Sequence, residues 1–176
     1  TRRASAEDPF VSYTAFNVSK LPCLSVRKAI FYALDRKALS DLTGTEEFVG
    51  TLADGLLKPT LFPNSYTPVK GYADAKPGGN PEKAKALLDQ AKSECPDIYK
   101  KATETGLVFD TTTLPIHQAG LAIWTASMAK AGIRAHDVIV AVNGSPDASP
   151  EAIRAVVKAA APGDVIRFRV LRAGEL

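Results

Sequence analysis

The stretch "AKAGIRAHDVIVAVNG", residues 129–144, decides the fold. Read backwards from Gly132, it closes a helix. From Gln118 to Ala131 the apolar residues Leu121, Trp124 and Met128 recur at a helical interval, and Gly132 followed by Ile133 has the form of a glycine stop with a hydrophobic clasp. Read forwards from Ala131, the same residues open a strand, "DVIVAVNG", that runs into an Asn-Gly turn.

Downstream, "SPEAIRAVVKAA" predicts a capped helix with Pro150 at its first position, and "PGDVIRFRVLRAGEL" predicts a strand. In that strand Val165, Arg167 and Arg169 alternate with Ile166, Phe168 and Val170. Upstream, Gly106 opens a strand, "GLVFDTTTL". "NPEKAKALLDQAK" predicts a helix, with Asn80 as its cap, Pro81 at its first position, Glu82 at its positive end and Leu87 and Leu88 facing inward. Residues 44–80 hold Pro59, Pro63, Pro68, Pro77, Gly78 and Gly79 and carry little period. A connection this long either contains short helical turns such as "VGTLADGLL" or wraps a partner.

Before it, "VRKAIFYALDRKALSDL" places Val26, Ala29, Ile30, Ala33, Leu34 and Ala38 on one helical face. Ser25 stands as the cap and Gly44 as the stop. "FVSYTAFNV" alternates aromatic and β-branched residues, including Phe10, Tyr13, Phe16 and Val18, and predicts a strand. Residues 1–9 are polar and aperiodic, so a frayed terminus is expected there. The resulting order, β-α-α-β-α-β-α-β, points to a mixed α/β (α+β) body.

Composition narrows the function. With 45% hydrophobic and 23% charged residues in a chain of 176, a core is affordable, and roughly 70% of the unfolded surface is hidden at this size. The net charge of +3 is spread among alternating acids and bases, as in "NPEKAKALLDQAKSECPD", which reads as a solvated helix face rather than a nucleic-acid surface. No run approaches the ~20 apolar residues that span a bilayer, and "TRRASAEDPF" is not a signal peptide. If the protein is exported, its signal segment is absent from this chain.

Cys23 and Cys95 stand 72 positions apart and form no CxxC pair, while His117 and His136 are remote from both in sequence. A zinc site is poorly supported on that spacing. What remains is a long-loop disulfide or two unrelated thiols. Each cysteine adjoins a proline at a helix edge, which suggests an exposed position, and outside the cytoplasm a bridge of this span stabilises by roughly 4 kcal/mol.

In "FNVSKLPCLSVRKAIFYALDRKAL" the residues Asn17, Pro22, Val26, Arg27, Ala29, Ala33, Asp35 and Arg36 stand out. A strand ending in Asn, a Pro-containing turn and a Val-Arg-x-Ala…Ala-x-Asp-Arg helix resemble the solute-binding proteins of peptide-importing (oligopeptide/dipeptide/nickel) ABC transporters. "PTLFPNSY", "NPEKAKALLDQA" and the run through "AGI" extend the resemblance over residues 10–133, which correspond to part of the C-terminal lobe.

From Ala131-Gly132-Ile133 through Asp137, Ile139, Asn143-Gly144, Pro162-Gly163-Asp164 and Leu171-Arg172-Ala173-Gly174, the chain is similar to the second half of a bacterial PDZ domain of envelope serine proteases. His136 departs from that pattern, which has Gly before Asp137; a positive φ there would strain it. The combined reading is a chimera or rearranged fragment. Residues 10–133 form a partial periplasmic-binding-protein-like lobe and residues 134–176 a PDZ-like β-α-β segment. The shared "AGI" is the seam, and the borrowed strand takes the place of the lost one.

No catalytic set presents itself. The serines of "NGSPDASP" lack a nucleophile elbow, and "PGGNPEKAK" lacks the Gly-Lys-Ser/Thr of a phosphate loop. No cofactor or metal is implied. Arg27, Asp35 and Arg36 read as structural ion-pair residues, and His117 and His136 as surface or capping groups. Asn17 reads as turn chemistry or, in the solute-receptor picture, as a ligand contact. Trp124 reads as core, or as a ligand-facing ring if another lobe covers it. Ile153 and Val157 read as the buried face of their helix, or as the side-chain pocket of a PDZ-type groove.

What the two resemblances imply is non-catalytic peptide or small-solute binding outside the cytoplasm, at the periplasm or cell surface, with a missing lobe or partner chain completing the cleft. PDZ-type capture of a peptide C-terminus, or a structural module without a ligand, are the alternatives. No nucleic acid and no direct membrane span are expected.

Overall fold

The computed structural model describes residues 11–44, 50–53, 55, 72, 74–109, 114–136 and 138–171. The expectations for residues 1–10, for "PTLFPNSY", for most of "VGTLADGLL", for Asp137 and for Arg172-Ala173-Gly174 lie outside them.

The long helix expected after Pro22 forms as two. α1 spans Leu24–Ala33 and α2 spans Arg36–Thr43. The hydrophobic period runs on through Leu34, but Asp35 interrupts the ladder by capping α2, its Oδ1 accepting the Ala38 N–H at 2.9 Å. Among the described residues Asp35 joins no ion pair. Arg27 instead donates from Nη1 to the carbonyls of Leu21 and Pro22, both at 2.7 Å, and Arg36 lies 5.3 Å from the centroid of the Phe31 ring. Ser25 does not cap α1 either. It sits buried inside the first turn and donates to Glu94 Oε2 at 2.5 Å.

α3, Pro81–Glu94, starts as expected, with Asn80 Oδ1 accepting from Lys83 N–H at 3.2 Å. It packs along α1 through Ala84, Leu88 and Ala91, small or branched side chains that let the two helices approach. α4, Pro96–Lys100, continues into a π-turn, Lys101–Thr105, closed by Gly106 N–H to Lys101 O at 2.8 Å.

Cys23 and Cys95 form a disulfide that ties the start of α1 to the α3–α4 corner. Cys23 is buried in the core rather than exposed, because the first turn of α1 is pressed onto α3. Segment 72–80 is fastened to the end of α1 by Tyr32 Oη donating to Asp74 Oδ1 at 2.6 Å and by Asn80 N–H donating to Tyr32 O at 2.6 Å. Phe31, Tyr32 and Tyr72 stack beside it, and Lys83 both pairs with Asp74 and lies 4.2 Å from the Tyr32 ring centroid.

Residues 11–17 make no strand, contrary to the alternation in "FVSYTAFNV". Among the described residues nothing pairs with this backbone, and Tyr13 and Val18 are exposed; an alternating pattern without a ladder partner does not hold a strand. The strand expected from Gly106 is reduced, among the described residues, to a single parallel bridge between Leu107 and Ala135.

α5, Pro115–Lys130, ends as its sequence predicts. Gly132 takes φ +78°, Ile133 N–H reaches back to Met128 O at 2.9 Å, and the Ile133 side chain is buried. β1, Val138–Val142, then leaves the Leu107 strand and pairs antiparallel with β2, Phe168–Leu171, with a register irregularity between Ile139 and Ala141. Among the described residues, parallel pairing with the chain after Gly106 is limited to Ala135, and β1 pairs with β2.

Asn143 (φ +48°) and Gly144 make the turn after β1, with Val142 and Ser145 exchanging hydrogen bonds at 3.0 and 2.9 Å. Among the described residues Asn143 is the only non-glycine with positive φ, so His136 does not carry the strain anticipated for it. α6, Pro150–Ala159, is capped by Ser149, whose Oγ accepts the Ala152 N–H at 3.2 Å.

The large core comprises α1, α3, the π-turn and the end of α5. A second cluster joins Leu121 of α5 to Val140 of β1 and Leu171 of β2. Phe109 and Trp124, with ring centroids 5.5 Å apart, pack against both clusters and so join them.

Candidate functional site

Where α5 meets the β1–β2 ribbon, an open cleft of about 630 Å³ remains. Its helical wall is Pro115, Gln118, Ala119 and Ala122, spaced three, four and seven residues from the first and hence on one face of α5. The small alanines keep the wall recessed. The opposite wall is Val140 and Ala141 of β1 with Arg167, Phe168, Arg169 and Leu171, and the turn residues Gly144 and Pro146 close one end.

Leu121, Val140 and Leu171 form the base on which the two walls meet. Its lining is more apolar than polar, and its volume lies in the range of small-ligand sites.

Among the described residues its charged groups are of one sign. Arg167 and Arg169 both line the ribbon wall, with Phe168 between them. The backbone under Arg167 is fixed by Asn143: Arg167 N–H donates to Asn143 Oδ1 at 2.9 Å, and Asn143 N–H donates to Arg167 O at 2.8 Å. Among the described residues neither guanidinium meets a carboxylate, and no acid lines the cleft. The start of α5 adds the positive end of a helix dipole on the facing wall.

Asp147, in the loop beyond Pro146, is turned to local work. It accepts the Ser149 N–H at 3.0 Å, and that hydrogen bond holds its carboxyl below the usual aspartate range. Among the described residues no group of three metal-ligating side chains occurs.

The residues singled out from the sequence do not meet in this cleft. Asn17 is exposed and forms a turn, its carbonyl accepting from Lys20 and Leu21 N–H at 3.2 and 2.9 Å. Trp124 is half-buried on Phe109. Ile153 is half-buried on α6, and Val157, on the same helix, is 53% exposed. A second hollow of about 390 Å³ does involve α6, but through Val156, Ala159 and Ala160 facing residues 164–166.

That Gln118, Arg167 and Arg169 line one cleft is not legible in the sequence. The alternation of arginine with apolar residues in "VIRFRV" marks a two-sided strand, yet nothing in it identifies α5 as the facing wall.

Comparison with known families finds one match. The profile of the bacterial extracellular solute-binding proteins, family 5 Middle, covers residues 2–144. No curated protein and no solved structure matches the chain. The match runs through Gly144 and so includes β1 as well as the helices before it. The chain belongs to this family of solute-binding proteins. No helix among the described residues is long and apolar enough to cross a membrane.

Proposed function

We propose that this member of the extracellular solute-binding proteins is a non-catalytic unit that captures a peptide or small solute outside the cytoplasm, in the cleft between α5 and the β1–β2 ribbon. The observation that carries this reading is the cleft itself: a recessed, mainly apolar hollow with a small number of fixed polar groups, on a chain whose family binds solutes. Residues 10–133 act as a partial lobe and residues 134–176 as an appended β-α-β segment. The appended segment supplies one wall of the cleft, and a missing lobe or partner chain covers the open side.

A second reading is favoured by the part of the chain beyond the family match. Residues 145–176 contribute α6 and β2, and β1–α6–β2 forms an antiparallel pair spanned by a helix with no buried residue. That arrangement is in keeping with the PDZ-like resemblance, with peptide capture along α6 near Ile153 and Val157.

Calorimetric titration of the whole chain with short peptides tests the proposal. Saturable one-to-one binding that Ala119→Trp blocks is the expected result. Binding blocked instead by Val157→Asp favours capture along α6, and no saturable binding leaves a structural module.

A further inference from the structure

The geometry points to an apolar carboxylate as the ligand of the α5–ribbon cleft, with Arg167 and Arg169 receiving its charged end. This rests on the solute-binding reading above and narrows it to one ligand chemistry. Arg167 and Arg169 line a hollow whose walls include Ala119, Ala122, Phe168 and Leu171. Among the described residues no salt bridge engages either guanidinium, and both side chains are exposed to an incoming anion.

Guanidinium and carboxylate match as a planar fork against two coplanar oxygens, and such charge-assisted pairs are about twice as strong as neutral hydrogen bonds. The Asn143 brace fixes the backbone at Arg167, which limits the ordering cost on binding. Among the described residues the remainder of the hollow offers mainly apolar contact, which suits a branched aliphatic group. Two sources carry that chemistry: the C-terminus of a short peptide, and a free aliphatic acid.

The test is calorimetry on the whole chain with four probes: the tripeptide Ala-Ala-Leu, its C-terminal amide, 4-methylpentanoate and its amide. Each acid that binds is expected to do so about tenfold or more tightly than its amide, with the preference shrinking as salt is raised. Arg167→Gln combined with Arg169→Gln removes the preference of acid over amide. Both side chains are exposed, so the fold tolerates the change.

Tighter binding of the tripeptide than of 4-methylpentanoate identifies the peptide terminus as the source, and the reverse order identifies the free acid. Equal affinity for acid and amide overturns the inference while leaving solute binding intact. So does an acid preference that survives the double substitution or survives Ala119→Trp. Failure of all four probes to bind overturns the inference and removes the support for the solute-binding reading at this cleft.

Discussion

Leu107 and Ala135 form a parallel bridge: Leu107 N–H donates to Arg134 O at 2.8 Å, and His136 N–H donates to Leu107 O at 3.1 Å. The bridge lies just past the end of α5, and Arg134 N–H extends it by donating to Ala102 O at 2.7 Å. Three residues thus fasten the chain after Gly132 to the body before it, and β1 then departs to pair with β2. Gly106 makes the approach possible. Its φ is +111°, and a Cβ there would stand 3.2 Å from the His136 nitrogen and 3.3 Å from the Ala135 carbonyl carbon.

Gly106→Ala should therefore cost about 1–3 kcal/mol, the price of backbone strain plus a displaced partner strand. Gly132→Ala is the control. It shares the positive φ but meets nothing within 4 Å, and should cost about 1 kcal/mol. Urea unfolding of both variants measures the difference; equal losses would mean that the bridge contributes nothing.

Leu121 is 4% exposed and carries the packing between α5 and the ribbon. Leu121→Ala should cost about 2–5 kcal/mol. Amide exchange in β1 and β2 should accelerate more than in α1 and α3, since the larger core does not contain Leu121. Uniform acceleration across the chain would show instead that both parts unfold as one unit.

Local signals in the sequence were legible where one residue settles a local geometry. Asn80-Pro81 and Ser149-Pro150 start helices, Gly132-Ile133 ends one, and Asn143-Gly144 turns the chain. Signals that depend on a distant partner were not. The alternation of residues 11–17 finds no ladder among the described residues, and the apolar period through Leu34 conceals the break that Asp35 imposes. The cleft was invisible because its walls lie about fifty residues apart in sequence on α5 and β2, and no local pattern pairs them.

The Cys23–Cys95 bridge closes a loop of 72 positions, and reducing it should lower stability by roughly 4 kcal/mol on chain-entropy grounds. Denaturant midpoints with and without reductant measure this, alongside a Cys23→Ser, Cys95→Ser double variant. An unchanged midpoint would mean that the packing of α1 on α3 holds the loop without the bond.

Glu94 accepts from Ser25 Oγ and from Gln90 Nε2 at 2.6 Å, and these bonds, with Lys28 nearby, hold its carboxyl below the usual glutamate range. A carboxyl depressed in the folded state contributes stability above its unfolded pKa and loses it as pH falls through the folded value. The melting temperature of the wild type should therefore fall further than that of Glu94→Gln between neutral pH and about pH 3. Parallel curves for the two proteins would assign the acid sensitivity elsewhere.

The central claim is that one ligand site is built jointly from α5 and the β1–β2 ribbon. Backbone amide chemical shifts of the whole chain, followed while Ala-Ala-Leu is added, test it most directly. The account predicts saturable shifts at Gln118, Ala119, Val140, Ala141, Arg167 and Arg169 together. Shifts confined to α6 around Ile153 and Val157, or on only one wall of the cleft, would contradict it.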